Sequence, residues 1–202
     1  MFGDNIDTDA VIPAEFMPGK DDLDLGLHCF EYVRPEFREK AKQGFNVVVA
    51  GIGFGCGSSR EEAPRALKGS GIEAVIARSF AFIYARNQAN MALLGIILND
   101  ERFYQLATEG AEISIDVGKR TLSVAGESFE FALSLIEERL LAGGGVTEMY
   151  KKYKAEVRIS RHCLCILNCA KQQFLQLFRK AIAPRKRATD KECGDTAAEI
   201  SW

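Results

Sequence analysis

The chain has 202 residues, 47% hydrophobic and 27% charged, with a formal net charge of −2. That is room for one substantial domain with a core of its own, at an ordinary globular composition. No apolar run approaches the roughly 18 residues of a membrane span, and the acidic start lacks the basic and apolar regions of a secretory signal. The expected location is the cytoplasm, or an organelle matrix if a segment precedes Met1, which lies close to the first motif.

The charge is unevenly spread. Residues 158–202 hold 9 Lys and Arg against 4 Asp and Glu, whereas residues 1–157 hold 17 against 24. The same tail carries Cys163, Cys165, Cys169 and Cys193, four of the six cysteines, and Trp202, the one tryptophan. A composition break of this kind marks a boundary near Val157. The expected organisation is a domain over 1–157 and a basic, cysteine-containing tail over 158–202, poorly ordered.

In chain order, Gly3 to Pro13 opens with Asp4-Asn5-Ile6-Asp7-Thr8-Asp9, a turn-rich stretch leading into apolar Ala10-Val11-Ile12. Residues 14–30, with Pro18-Gly19 and an acidic run, read as an irregular surface loop. A short charged helix is expected over 35–42 and a buried strand over 46–51. A glycine-rich loop over 53–60 follows, then a helix over 60–68 and a second buried strand over 73–77. Next come a helix from Ser79 or Phe80 to about Leu94, a strand over 95–98, and a helix over 100–107 capped by Asn99 or Asp100. The period then changes to two: 111–117, 120–124 and 127–131 read as a meander turning at Gly118 and Gly126. Helices over 133–142 and 146–153 flank Gly143-Gly144-Gly145. Alternating strands and helices followed by hairpins predict a single compact α/β domain with a partly parallel sheet. Its ligands belong at the carboxyl ends of the strands.

Gly53-Phe54-Gly55-Cys56-Gly57-Ser58-Ser59-Arg60 stands at that place. Alternate glycines let the backbone turn sharply or approach a ligand. Two hydroxyls and a guanidinium then precede a helix start, where N–H groups and the positive dipole end favour an anion. The planar fork of Arg60 suits a carboxylate. A capping box, Ser59 with Glu62 or Ser58 with Glu61, explains one serine but neither the glycines nor the arginine. The glycines do not fit G-x-G-x-x-G, and no Lys-Ser or Lys-Thr completes a P-loop. Cys56 reads as a small semi-buried thiol rather than a nucleophile, since His28 and His162 are both remote in sequence.

The pairing of Gly3 to Pro13 with Gly53 to Glu61 resembles the small subunit of 3-isopropylmalate dehydratase, the swivelling domain of the aconitase superfamily. Ser79-Phe80-Ala81 with Asn87 and Asn90, and Gly143-Gly144-Gly145-Val146, follow the family pattern in order and spacing. The resemblance covers about residues 3–157 and implies a swivelling β/β/α domain that forms half of a hydro-lyase. By motif position it implies that Ser58 is the catalytic base. Ser59 and Arg60 would bind a substrate carboxylate, with Thr8 and Asp9 lining the same site. A serine is a poor base unless its alkoxide is stabilised, and helix-end N–H groups with an adjacent guanidinium do that.

The resemblance further implies no cofactor on this chain and a [4Fe–4S] cluster on a partner large subunit. The other expected partner is a small hydroxy-dicarboxylate; no nucleic acid is expected. An isomerisation of the 2-isopropylmalate/3-isopropylmalate type, by dehydration and rehydration, is the leading expectation. Glu62 stands where the family usually has histidine, Phe82 where arginine is common, and no arginine precedes Arg34 in the 14–30 region. Homoaconitase-like and dimethylmalate dehydratase-like substrates therefore stay open, as does a non-catalytic binding module. Phe16 and Met17 suit either an alkyl substituent or the core. The tail does not resemble the family. His162-Cys163-Leu164-Cys165 with Cys169 lacks the paired spacing of a zinc module. Residues 164–182 read as a basic amphipathic helix or as part of a non-native extension.

Overall fold

The computed structural model describes residues 1–158, with side chains through Lys154. The tail expected over 158–202 lies almost wholly outside the described residues. Three parallel strands, β1 (Val47–Ala50), β2 (Ala74–Ala77) and β3 (Leu94–Ile97), form one sheet in sequence order. Their register pairs Val47 with Ala74 and Ala50 with Ala77, then Ala74 with Leu94 and Ala77 with Ile97. β2 is buried at all four positions. That explains its continuous apolar sequence: the central strand of a parallel sheet is covered on both faces.

Alternation along the strands sorts the core into two layers. Val48, Ala50, Val75 and Ala77 belong to one cluster, with Val11, Ile12, Leu25, Phe30, Ala63, Ala66 and Leu67. These come from α1 (Thr8–Val11), α2 (Asp22–Gly26), α4 (Glu62–Gly69) and adjoining turns. Val49, Ala74, Ile76 and Ile96 face the other way, against Phe103 and Tyr104 of α6 (Glu101–Leu106) and against Leu122, Val124 and Phe129. The last three belong to an antiparallel meander, β4 (Ile113–Asp116), β5 (Thr121–Val124) and β6 (Glu127–Glu130). The remaining helices are α3 (Phe37–Lys42), α5 (Phe82–Asn90), α7 (Leu135–Ala142) and α8 (Val146–Arg158). The expected α/β class is the one observed, with the parallel strands and the meander in two separate sheets.

Residues 14–30 differ from expectation. They form a 3-10 turn (Ala14–Phe16) and α2, and Leu25, Cys29 and Phe30 are fully buried. Asp21 caps α2 by accepting from the Asp24 N–H at 2.9 Å. α2 packs on α4 where Gly26 meets Gly69, so closely that a Cβ on Gly26 would overlap the Gly69 backbone. In the meander, Gly126 turns with φ 82° as expected, but near Gly118 the positive φ falls on Arg120, at 58°. α5 starts at Phe82 rather than 79 or 80, because Ser79 to Ala81 is drawn out alongside the glycine loop.

Candidate functional site

Ala50 and Ala77 are register partners, so the segments that follow β1 and β2 leave the sheet side by side. The Ser79 hydroxyl accepts from the Gly53 N–H at 2.9 Å, and its carbonyl accepts from the Phe54 N–H at 3.0 Å. The Ala81 N–H in turn donates to the Phe54 carbonyl. The opposite edge of the loop is held by the N-terminal segment. Asn5 donates to the Ile52 carbonyl at 2.6 Å, Gly55 to that of Ile6 at 2.7 Å, and Thr8 to that of Cys56 at 3.0 Å. The glycine loop is thus clamped between two segments, a role for Ser79 that sequence reading did not assign.

Gly55 shows why a glycine is needed. Its φ is +78°, and a Cβ there would fall inside the Tyr84 ring. Tyr84 also packs edge-on against Phe54, whose ring meets Phe80, so an aromatic layer lies under the loop. Burying a ring such as Phe54 contributes about 1.5–3 kcal/mol.

Ser58 and Ser59 are exposed beyond that layer. Neither caps α4, which begins at Glu62 with Glu61 as a helical N-cap that makes no side-chain cap bond. The capping boxes therefore do not form, and Pro64 sits in the first turn, where its missing donor is harmless. The Arg60 side chain is 22% exposed, with Nη1 2.7 Å from Asp9 Oδ1 and 3.4 Å from Met17 Sδ. Met17 and Phe16 also pack against the core, so Met17 touches both core and site. Thr8 does not face open space: it is 1% exposed, and its hydroxyl donates to the Ser58 carbonyl at 3.0 Å. The structure thus brings Thr8 to Ser58 and Asp9 to Arg60, although the two motifs lie some fifty residues apart.

The other candidates lie as follows. Cys56 is partly exposed. His28 is engaged elsewhere, 3.1 Å from Glu31 and stacked on Phe16. Phe82 is 72% exposed, with the Arg86 guanidinium over its ring at 4.7 Å.

Among the described residues no group of three or more His, Cys, Asp and Glu is placed to hold a metal. Burial pushes the Cys29 thiol up to about 12, so it is not an available thiolate. The described residues therefore do not fit an iron–sulfur cluster. No helix among them is long and apolar enough to cross a membrane.

The model of the aconitase C-terminal domain family matches residues 4–101. An aconitase from Aspergillus rugulosus is 53% identical over 150 residues, 74% of this chain and 17% of that protein. The chain spans less than a fifth of the length of this relative and of three others of similar identity, at 17–19%. A 3-isopropylmalate dehydratase small subunit from Caldanaerobacter subterraneus subsp. tengcongensis is 40% identical over 157 residues, 76% of this chain and 96% of that subunit. The crystal structure of a 3-isopropylmalate dehydratase from Methanocaldococcus jannaschii superposes with a TM-score of 0.69 at 38% identity, covering 78% of this chain and 93% of that one. Identity at this level over nearly the whole of a relative, with the same fold, shows the family: the chain belongs to the aconitase C-terminal domain family, alongside the small subunits of 3-isopropylmalate dehydratase.

Proposed function

We propose that this chain is the small-subunit part of a hydro-lyase that isomerises a hydroxy-dicarboxylic acid of the 3-isopropylmalate type. The observation that carries the reading is an exposed Ser58 two residues from an Arg60 guanidinium held at the mouth of a clamped glycine loop. Ser58, as alkoxide, takes the proton from the carbon alpha to a carboxylate. A double bond forms as hydroxide leaves the neighbouring carbon, and water adds back in the opposite sense to give the isomer. Arg60 and Ser59 bind the carboxylate, and Asp9 lies beside them.

Asp9 and Met17 both contact Nη1 of Arg60. A substrate carboxylate would take the Nε–Nη2 edge, where two parallel hydrogen bonds fit a planar fork. Met17, at the Nη1 end of Arg60, gives the site an apolar side chain, which supports an alkyl substituent over a second charge. In keeping with the family, we place the cluster, which would supply Lewis-acid chemistry, on the large subunit.

Two variants separate the roles. Arg60→Lys is expected to raise KM about tenfold or more while kcat changes less, because the charge survives and the fork does not. Cys56→Ala is expected to match wild type in both parameters; loss of activity in it would move the chemistry to the thiol. We also propose that the domain ends near Val157, on the composition break. A chain truncated there is expected to remain soluble and to retain its partner, and precipitation or loss of the partner would show the tail to be structural.

The reading is tested by capturing a cluster-bearing partner with the tagged chain and assaying the pair on 3-isopropylmalate, homocitrate-type and dimethylmalate-type acids. Activity on the first of these is expected. Failure to capture any cluster protein, with no activity on any acid, would favour a non-catalytic binding module.

A further inference from the structure

We infer that the turn Asp7-Thr8-Asp9 is a brace that positions the reacting groups from behind, with Thr8 as the positioning residue for Ser58. The inference rests on the reading of Ser58 as the base. Thr8 is 1% exposed, so no substrate reaches it. Each of its polar groups is committed: the N–H to Cys56, the carbonyl to the Ile12 N–H, and the hydroxyl to the Ser58 carbonyl at 3.0 Å. Buried from solvent, the hydroxyl has no water to exchange that bond for.

The turn carrying Thr8 is itself anchored. Asp7 caps α1 and bridges to Cys56. Val11 and Ile12, just beyond, are fully buried, and the Val11 carbonyl accepts from the Phe30 N–H at 2.8 Å. One residue after Thr8, Asp9 reaches Nη1 of Arg60. A single rigid turn thus holds the backbone of the base and the guanidinium of the carboxylate site, and fixes their separation. Between Gly57 and this turn there is little slack: a Cβ on Gly57 would lie 3.5 Å from Asp7 Cβ and 3.8 Å from Thr8 Oγ1. Misplacement of a catalytic group by about 1 Å costs on the order of 100-fold in rate, so a bond that sets this position matters without touching substrate.

Thr8→Val keeps the shape and removes the donor; Thr8→Ser restores it. In the full chain paired with its large subunit, Thr8→Val is expected to lower kcat about tenfold with KM within about twofold of wild type, and Thr8→Ser to recover kcat. In the chain alone, amide deuterium uptake over residues 53–61 is expected to rise in Thr8→Val and to return to wild type in Thr8→Ser. Uptake over β2 should not change in either variant. Wild-type uptake over 53–61 in Thr8→Val would overturn the brace, as would a rise across the whole domain, which marks a general packing residue. Should Ser58→Ala prove fully active, the base assignment fails, and the uptake experiment decides the brace by itself.

Discussion

On the proposed reading of Ser58 as the base, Ser58→Ala, assayed with the proposed large subunit, is expected to lower kcat by about 10²–10⁴-fold and to leave KM within a few-fold of wild type. Removing a general base removes stabilisation that exists only in the transition state, hence the split. The variant should fold normally. Ser58 is exposed, and its structural tie to the domain is its carbonyl, which alanine keeps. The pair should assemble as before, so the loss is chemical. Near-normal kcat would remove the serine from the reaction.

In the glycine loop, a large effect on folding is expected at Gly55. An alanine there must adopt φ near +78° and place its Cβ inside the Tyr84 ring. The backbone conformation costs about 1–2 kcal/mol, and forcing extra volume into a packed site about 1–3 kcal/mol more. A loss of some 3–4 kcal/mol is a large part of the stability of an ordinary domain, typically about 5–15 kcal/mol. Gly126→Ala is the control. Its φ is +82°, but a Cβ there meets nothing within 4 Å, so it should cost only about 1–2 kcal/mol. Urea unfolding of both variants reads the difference. Equal destabilisation would mean that the Tyr84 layer yields and does not dictate the glycine.

The parts of the fold that were legible are those whose signal is local. β2 is a continuous apolar run because both its faces are covered, and β1 and β3 on either side share its apolar character, although Ile97 at the end of β3 is exposed. β4 to β6 alternate because one face packs on Phe103 and the other is wet. α2 was missed because its burial is not periodic. Leu25, Cys29 and Phe30 lie among aspartates and glycines, and the close approach of Gly26 to Gly69 joins segments distant in sequence. The expected serine caps fail for a related reason: α4 starts two residues later than read, and the loop backbone is tied to Ile6, Thr8 and Ser79 instead.

At the site, the candidate residues come from the sequence and their contacts from the structure. The proposal of a carboxylate rests on Arg60 beside two serines. Nothing local, however, said that Asp9 and Met17 would hold its Nη1, or that Thr8 would turn inward to the Ser58 carbonyl. Such bonds depend on how two remote turns are brought together by the sheet. Their only sequence trace is a buried-type neighbour, Val11-Ile12, two residues on from Asp9.

The proposal that this chain supplies the proton-abstracting half of a two-part hydro-lyase is tested most directly by the absorbance of the unsaturated dicarboxylate formed on dehydration. 3-Isopropylmalate is added to the large subunit alone, to this chain alone, to the two together, and to the large subunit with Ser58→Ala. The account predicts that absorbance rises only when the large subunit and the wild-type chain are mixed. A rise with this chain alone, or an undiminished rise with Ser58→Ala, would contradict it.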